Sequence, residues 1–135
     1  MKYLSFILIV ICFISCKKAQ QQIQTNYALQ AITDGQWKVT SYKQGTGDST
    51  AAFAAYKFQF KTNYTVDAIK NGIVENTGTW IADLNAQTIT SNFNNPLHPL
   101  ELLNGTWQIT NSSQTFVEAK MNVNNELRTL RLDKQ

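Results

Sequence analysis

Residues that could act in catalysis or hold a metal are few and scattered in this chain of 135 residues. His98 is the single histidine and lies in a loop-like segment, Asn95-Pro96-Leu97-His98-Pro99. A metal site usually needs several ligands, and a loop histidine between prolines is most often an ordinary surface residue. The nine carboxylates form no close pair, and neither a glycine-rich phosphate loop nor a serine nucleophile elbow is present. We therefore expect no enzyme activity, catalytic residue, metal site or cofactor.

The chemistry that the sequence does support concerns Cys16. Residues 4–14 are apolar except for one serine, and Lys2 precedes them. This stretch is shorter than the roughly 20 residues of a membrane span and is typical of a secretory signal. Cys12 lies inside it, so cleavage would leave Cys16 as the only cysteine of the exported chain. An acyl anchor would explain that lone cysteine; the alternative is an ordinary signal peptide or an uncleaved anchor.

The segment that ends at Cys16 resembles the lipobox of bacterial lipoproteins, with Phe13 where leucine is usual. The resemblance implies a signal peptide at 1–15 and a membrane partner, reached through a diacylglyceryl group on the Cys16 thiol. Lys17 is not the aspartate that retains enterobacterial lipoproteins at the inner membrane. This favours the cell envelope and its outer membrane as the location and leaves the leaflet open.

The composition favours a folded domain and argues against a nucleic-acid partner. The chain is 43% hydrophobic and only 16% charged, which excludes disordered and fibrous classes. Its formal net charge is +3, and apart from Lys17-Lys18 its basic residues are scattered singly. Such a distribution offers no stripe of charge that could follow a phosphate backbone.

The pattern after Cys16 predicts a tether and one β domain. Residues 16–26 are glutamine-rich and are interpreted as a lipidated tether. Residues 27–135 form the domain, with a short helix at 27–32 and then short β runs separated by turn signals. The predicted strands are 37–43, 56–61, 64–70, 73–82, 88–92, 106–110, 115–122 and 126–132.

Turn residues predict which side chains face inward. Two-residue turns at Asn71-Gly72 and Thr62-Asn63 place Asp67 opposite Asn76 on the inner face. A buried polar pair must be hydrogen-bonded or hydrated, and the polar head of a ligand would satisfy it. The predicted inner face includes Phe58, Phe60, Asp67, Asn76 and Trp80.

A one-residue slip is the alternative to this register. It would turn Val66 and Ala68 inward and Asp67 towards solvent. A further two-residue turn at Asn124-Asn125 predicts one shared inner face on the last two strands, made of Val117, Ala119, Met121, Leu130, Leu132 and Arg128. The same turn places Glu118 opposite Arg131 on the outer face, where they would form a cross-strand ion pair.

A repeat predicts how the strands are arranged. Gly-x-Trp occurs at Gly35-Gln36-Trp37, Gly78-Thr79-Trp80 and Gly105-Thr106-Trp107. In the last two copies a glutamine follows the glycine by nine residues, which indicates a strand–turn–strand unit. Repeated hairpins build a meander, and eight such strands can close into an all-β, antiparallel up-and-down barrel.

The lipobox, the tether and the Gly-x-Trp before eight meandering strands resemble the lipocalin-like lipoproteins of Bacteroidota over residues 27–132. In lipocalins, Gly-x-Trp closes one end of the barrel and an arginine from the last strand packs over the tryptophan. The resemblance therefore implies a barrel-closing role for Gly35 and Trp37. Arg128 is the matching arginine, or Arg131 if the register of the last strand differs.

These observations lead to two functional hypotheses. The first is a membrane-anchored barrel that binds a small, partly apolar ligand, with Phe58, Phe60, Asp67, Asn76, Trp80 and Arg128 as candidate contacts. The second is an accessory lipoprotein with a filled barrel that docks another envelope protein. An open apolar cavity would favour the first, and exposed leucines in the 94–103 connection would favour the second. A buried Asp67 near another carboxylate, or in an open cleft with Arg128, would favour an enzyme.

Overall fold

The structure is a computed structural model that describes residues 2–135. For residues 2–16 and residue 21 it describes the backbone alone. The Cys16 side chain, where lipidation is predicted, therefore lies outside the described residues. The chain divides into two compact units, with the boundary between Ala31 and Ile32.

One helix, α1, occupies Lys2–Thr33. Its last turns are the short helix predicted at 27–32, and the segment predicted as a tether is also helical. Among the described residues, no helix has both the length and the apolar character needed to cross a membrane.

The second unit is the predicted antiparallel barrel. Eight strands neighbour one another in chain order, and the first pairs with the last to close the sheet. A two-residue strand, β2, lies beside the end of β1. Within residues 32–135 the strands are β1 (Trp37–Gln44), β2 (Gly47–Asp48), β3 (Tyr56–Phe60), β4 (Thr65–Lys70), β5 (Ile73–Asp83), β6 (Thr88–Asn92), β7 (Gly105–Ser112), β8 (Phe116–Val123) and β9 (Glu126–Lys134). The eight barrel strands begin and end within two residues of the predicted positions.

The alternation of strand direction gives the barrel two different ends. The proximal end is the one where the chain enters β1, and its connections are 61–64, 84–87 and 113–115. The distal end carries the connections 45–55, 71–72, 93–104 and 124–125. Two 3-10 helices, Thr50–Phe53 and Leu100–Leu103, belong to the distal connections.

The distal end is closed by these two helices. Tyr42, Phe53 and Leu100 are fully buried, and the rings of Tyr42 and Phe53 lie 5.2 Å apart between centroids. The Tyr42 hydroxyl donates a hydrogen bond to the Leu102 carbonyl at 2.9 Å, which ties the 93–104 connection to β1. Leu103 is also buried, whereas Leu97 is 67% exposed. The leucines of this connection therefore mainly cap the barrel and form no exposed leucine patch.

The predicted Asn71-Gly72 turn is confirmed, because both residues take positive φ and Lys70 pairs with Ile73. The predicted register of β4 is wrong by one residue along the whole of β3, and along β5 from Ala68 towards the proximal end. The β3–β4 connection is a three-residue loop in which Tyr64 takes a φ of 64°. As a result Phe58 pairs with Ala68, where the prediction had Asp67. A bulge in β5 at Glu75 shifts the β4–β5 pairing in the opposite sense, so Ala68 also faces Asn76. The two shifts cancel between β3 and β5, and β4 alone is turned over.

The predicted β8–β9 register is confirmed. Asn124 and Asn125 both take positive φ, as a type I′ turn requires, and Glu118 pairs with Arg131. Arg131 Nη1 lies 2.7 Å from Glu118 Oε1. Arg128 pairs with Met121 near the distal end.

Neither Arg128 nor Arg131 packs over Trp37, because Trp37 starts β1 and faces the end of β9. Its strand partner is Lys134, whose Nζ lies 5.1 Å from the centroid of the Trp37 ring. Gly35 precedes it with a φ of 75°, a conformation that favours glycine. Gly35 and Trp37 therefore stand at the proximal end, with a lysine where the resemblance implied an arginine.

Candidate functional site

The interior of the barrel contains an apolar cavity of about 50 Å³. A water molecule needs ~10–15 Å³ on this scale, so the cavity has room for roughly three to five waters. Its lining comes from β3, β4, β6, β7, β8, β9 and the second 3-10 helix, and Ser91 is the single polar residue in it. The lining residues are Phe58, Phe60, Val66, Ile89, Ser91, Phe93, Leu103, Trp107, Val117, Ala119, Leu130 and Leu132.

The polar groups beside the cavity already have partners. Ser91 Oγ donates a hydrogen bond to the Leu103 carbonyl at 2.5 Å. The same carbonyl accepts a second hydrogen bond from Trp107 Nε1 at 2.9 Å. Both donors are therefore committed to one backbone oxygen. A ligand in the cavity would meet hydrocarbon, with the lone pairs of Ser91 Oγ as the exception.

The lining of the cavity is more deeply buried towards the distal end than towards the proximal end. Phe93, Leu103 and Trp107, which face the distal connections, are buried. Ile89 and Val117, at the proximal ends of β6 and β8, are only partly buried. Leu132, near the proximal end of β9, is also partly buried. Ser91 and Leu130, further along the same strands, are partly buried too. We therefore assign the mouth of the cavity to the side formed by β6, β8 and β9, at its proximal end.

Large rings fill the other side of the proximal end. Trp80 Nε1 donates a hydrogen bond to the Lys61 carbonyl at 3.1 Å, and the Trp80 ring meets the edge of Phe60 at 5.5 Å. Trp37 Nε1 donates to the Ile32 carbonyl at 2.9 Å. These hydrogen bonds satisfy both indole N–H groups. The two tryptophans fill the proximal end on the side from β1 to β5, and the mouth lies on the opposite side of the barrel.

The structure brings some of the predicted contact residues to the cavity and not others. Phe58 and Phe60 line it, and Trp80 packs behind Phe60. Asn76 faces the distal end, where its side-chain amide donates to the Asn94 carbonyl at 3.2 Å. Arg128 is also distal and outside the cavity lining, with its Nε buried 3.6 Å from Glu126 Oε1.

Asp67 lies on the outer face of the sheet and does not reach the cavity. Its carboxylate sits 2.6 Å from Lys61 Nζ and accepts a hydrogen bond from the Thr77 hydroxyl at 2.7 Å. The hydrogen bond from Lys61 is the main cause that lowers the pKa of Asp67, and Thr77 adds to it. Asp67 therefore remains a carboxylate with its own partners, and an enzyme centred on Asp67 gains no support.

The bulge in β5 has a chemical partner as well. Glu75 is the extra residue, and its carboxylate accepts a hydrogen bond from the hydroxyl of buried Tyr56. Burial, followed by this carboxylate, raises the pKa of Tyr56 to about 12. Lys70 Nζ lies 3.4 Å from the other oxygen of Glu75. This polar cluster connects Tyr56 of β3, Lys70 of β4 and Glu75 of β5, and so helps to fix β4, the strand whose register the sequence mispredicted.

His98 lies outside the barrel, with its Nδ1 at 2.7 Å from Glu101 Oε1. Within the part of the chain that the structure describes, no three side chains of His, Cys, Asp or Glu are grouped to hold a metal ion.

Several residues that line the cavity were not among the predicted ligand contacts. Val66 was hidden by the β4 register. Ile89, Val117, Leu130 and Leu132 lie at alternating positions of β6, β8 and β9. The inward face predicted for β8 and β9 already contained the last three, so continuing the predicted face around the whole barrel would have found them.

No family model and no curated protein matches the sequence. A solved structure does: the crystal structure of a DUF4847 family protein from Bacteroides vulgatus ATCC 8482. It aligns with a TM-score of 0.56 and 15% sequence identity, covering 77% of this chain and 96% of the other. At that identity the likeness concerns the fold. The closed eight-stranded barrel and this similarity together fit a lipocalin-like barrel fold.

Proposed function

We propose that the protein is a lipid-anchored, lipocalin-like protein of the cell envelope that binds a small apolar ligand, or the apolar part of a larger one, inside its barrel. The observation that carries the proposal is the apolar cavity, whose lining is buried towards the distal end and partly exposed at Ile89, Val117 and Leu132. We propose no enzymatic activity.

The size and lining of the cavity define the ligand. Room for roughly three to five waters corresponds to about 100–150 Å³ of liquid, and an apolar cavity of about that size stays dry and binds benzene. Each buried CH₂ group contributes ~0.8 kcal/mol. Because the nearby donors Ser91 and Trp107 are committed to Leu103, a polar head group would remain at the mouth.

Benzene titration of the purified protein, followed by methyl NMR, tests this function. We expect saturable shifts at Val117, Leu130 and Leu132. Val117→Trp should abolish them by filling the mouth, whereas Val74→Trp should not, because Val74 is exposed outside the cavity. Absence of shifts in the unmodified protein would reject ligand binding in the barrel, and binding retained by Val117→Trp would place the site elsewhere.

The proposed anchor is a diacylglyceryl group on Cys16, and the proposed location is the outer membrane. The lipobox-like segment and the loss of Cys12 on cleavage support it. Cys16→Ser should release the protein from the membrane fraction, whereas Cys12→Ser should leave it there. Mass spectrometry of the extracted protein should show acyl chains on Cys16, and an unmodified Cys16 would refute the anchor.

A second candidate function is docking of another envelope protein. Large aliphatic side chains are exposed at the distal end: Leu97 at 67% in the 93–104 connection, Ile73 at 73% at the start of β5 and Leu127 at 46% near the start of β9. Native mass spectrometry of the protein from its own envelope extract separates the candidates. A bound small molecule supports the barrel site. A co-purifying protein that is lost from Leu97→Ser and Leu127→Ser supports docking.

A further inference from the structure

We propose that the proximal end of the barrel faces the lipid surface, so that the mouth of the cavity lies against the membrane. This orientation rests on the proposed lipid anchor and on the proposed binding of an apolar ligand. It adds an interaction surface, with a lipid bilayer as its partner.

The first argument is where the chain enters the barrel domain. Trp37 Nε1 bonds to the Ile32 carbonyl at 2.9 Å, and Gln59 Nε2 donates to the Thr33 carbonyl at 3.4 Å. The backbone of Gln135 adds a hydrogen bond to the Gln36 carbonyl at 2.9 Å. These three contacts hold residues 32–36 at the proximal end, so an anchored chain reaches the barrel from that side.

The second argument is the length of the tether. Ile32 lies sixteen positions after Cys16, and in the helical form that this segment takes those sixteen steps span about 24 Å. An eight-residue strand tilted as in a barrel gives a height of about 20 Å. If the distal end faced the membrane, the tether would have to run back along the barrel, and the barrel height would take up nearly its whole length. If the proximal end faces the membrane, the tether needs no such detour.

The third argument is what surrounds the mouth. Ile89, Val117 and Leu132 present partly exposed apolar groups there. Two other connections of the proximal end add exposed Leu84 and exposed Tyr64, whose ring lies 5.7 Å from that of Trp80 on the plugged side. The apolar side chain of Leu84 and the amphipathic ring of Tyr64 both suit the headgroup region of a bilayer.

The distal end also exposes apolar side chains, namely Ile73, Leu97 and Leu127. Exposure alone therefore does not choose between the ends. The choice comes from the covalent path through Ile32 and from the position of the mouth, both of which are proximal.

Depth-dependent fluorescence quenching of the full, lipidated protein tests the orientation. Leu84→Cys and Leu127→Cys form a matched pair of exposed leucines, at 39% and 46%, on opposite ends. An added cysteine is the only free thiol if Cys12 is removed and Cys16 is acylated. Each variant is labelled with nitrobenzoxadiazole and placed in vesicles of phosphatidylethanolamine and phosphatidylglycerol that carry a headgroup spin label.

We expect the label at 84 to lose fluorescence in spin-labelled vesicles and the label at 127 to keep it. Quenching at 127 with none at 84, equal quenching, or quenching at neither site would overturn the orientation. Failure of the protein to float with the vesicles would overturn it too, because no anchor would hold it there.

Benzene titration of the same samples separates this inference from ligand binding. Shifts at Leu132 together with distal quenching would reject the orientation and retain the binding site. Quenching at 84 without such shifts would support the orientation and reject the ligand.

Discussion

The two ends of the barrel are filled in different ways. The distal end is sealed by two 3-10 helices that insert Phe53 and Leu100 and are tied to β1 by Tyr42. The proximal end is sealed on one side only, where Trp37 and Trp80 plug the sheet. Both ends belong to the same closed sheet, so the side chains at each end decide whether the cavity can be reached from there.

The largest effect that we expect separates the two ends by a matched pair of leucines. Leu100→Ala empties a fully buried site and should destabilise the protein by about 2–5 kcal/mol. Leu132→Ala, at the partly exposed mouth, should cost clearly less, because part of that side chain already meets solvent. Urea unfolding of both variants measures the difference. Equal losses would mean that the mouth is as well packed as the cap.

A second prediction concerns the close packing that supports the cap. A Cβ at Gly78 would lie 2.6 Å from the Asn92 carbonyl oxygen and 2.8 Å from Phe93 Cδ1. Gly78→Ala should therefore destabilise the protein by about 1–3 kcal/mol through overpacking. Gly78→Ala combined with Phe93→Leu should recover part of that loss in thermal unfolding. No loss in the single variant would show that β5 and β6 are not packed this tightly.

The outer wall between the ends should be sensitive to acid. The pKa of Asp67 is lowered in the folded protein, mainly by Lys61, so this group stabilises the fold above the ordinary aspartate pKa of about 3.9. That stabilisation is lost as the pH falls through the lower folded-state value. Asp67→Asn should therefore lose less stability on acidification than the unmodified protein does. An Asp67→Asn variant that keeps the full acid sensitivity of the unmodified protein would contradict the assignment.

The smallest effect that we expect is at the proximal plug. Lys134 Nζ over the Trp37 ring should contribute about 0.5–1 kcal/mol as a cation–π contact. Lys134→Met keeps the alkyl stem and removes the charge, so its unfolding free energy should fall by no more than that. A loss as large as that of Leu100→Ala would mean that the charge itself holds the proximal end.

How much the sequence predicts depends on the local backbone. The β8–β9 register was predictable because Asn124 and Asn125 are residues that accept the positive φ of a type I′ turn. The β4 register was not, because Tyr64 takes a positive φ that bulky residues seldom adopt. The bulge at Glu75 likewise carries no clear sequence signal.

The site was predictable in part for the same reason. Phe58 and Phe60 were placed inside because the two errors around β4 cancel across that strand. Asp67 was predicted to face inward because of the same register error in β4. Arg128 was placed on the correct face, yet its level along β9 puts it at the distal end, outside the cavity lining. The position of a residue along the barrel axis depends on strand stagger, which a hairpin rule does not provide.

The central claim is that the barrel holds an apolar ligand in a cavity that opens at the proximal end. A crystal structure determined under xenon pressure tests it most directly, because xenon occupies dry apolar cavities. The account predicts xenon among Val117, Leu130 and Leu132, with the distal cap unchanged. Ordered water or inserted side chains in that space, or xenon bound only at the distal connections, would contradict it.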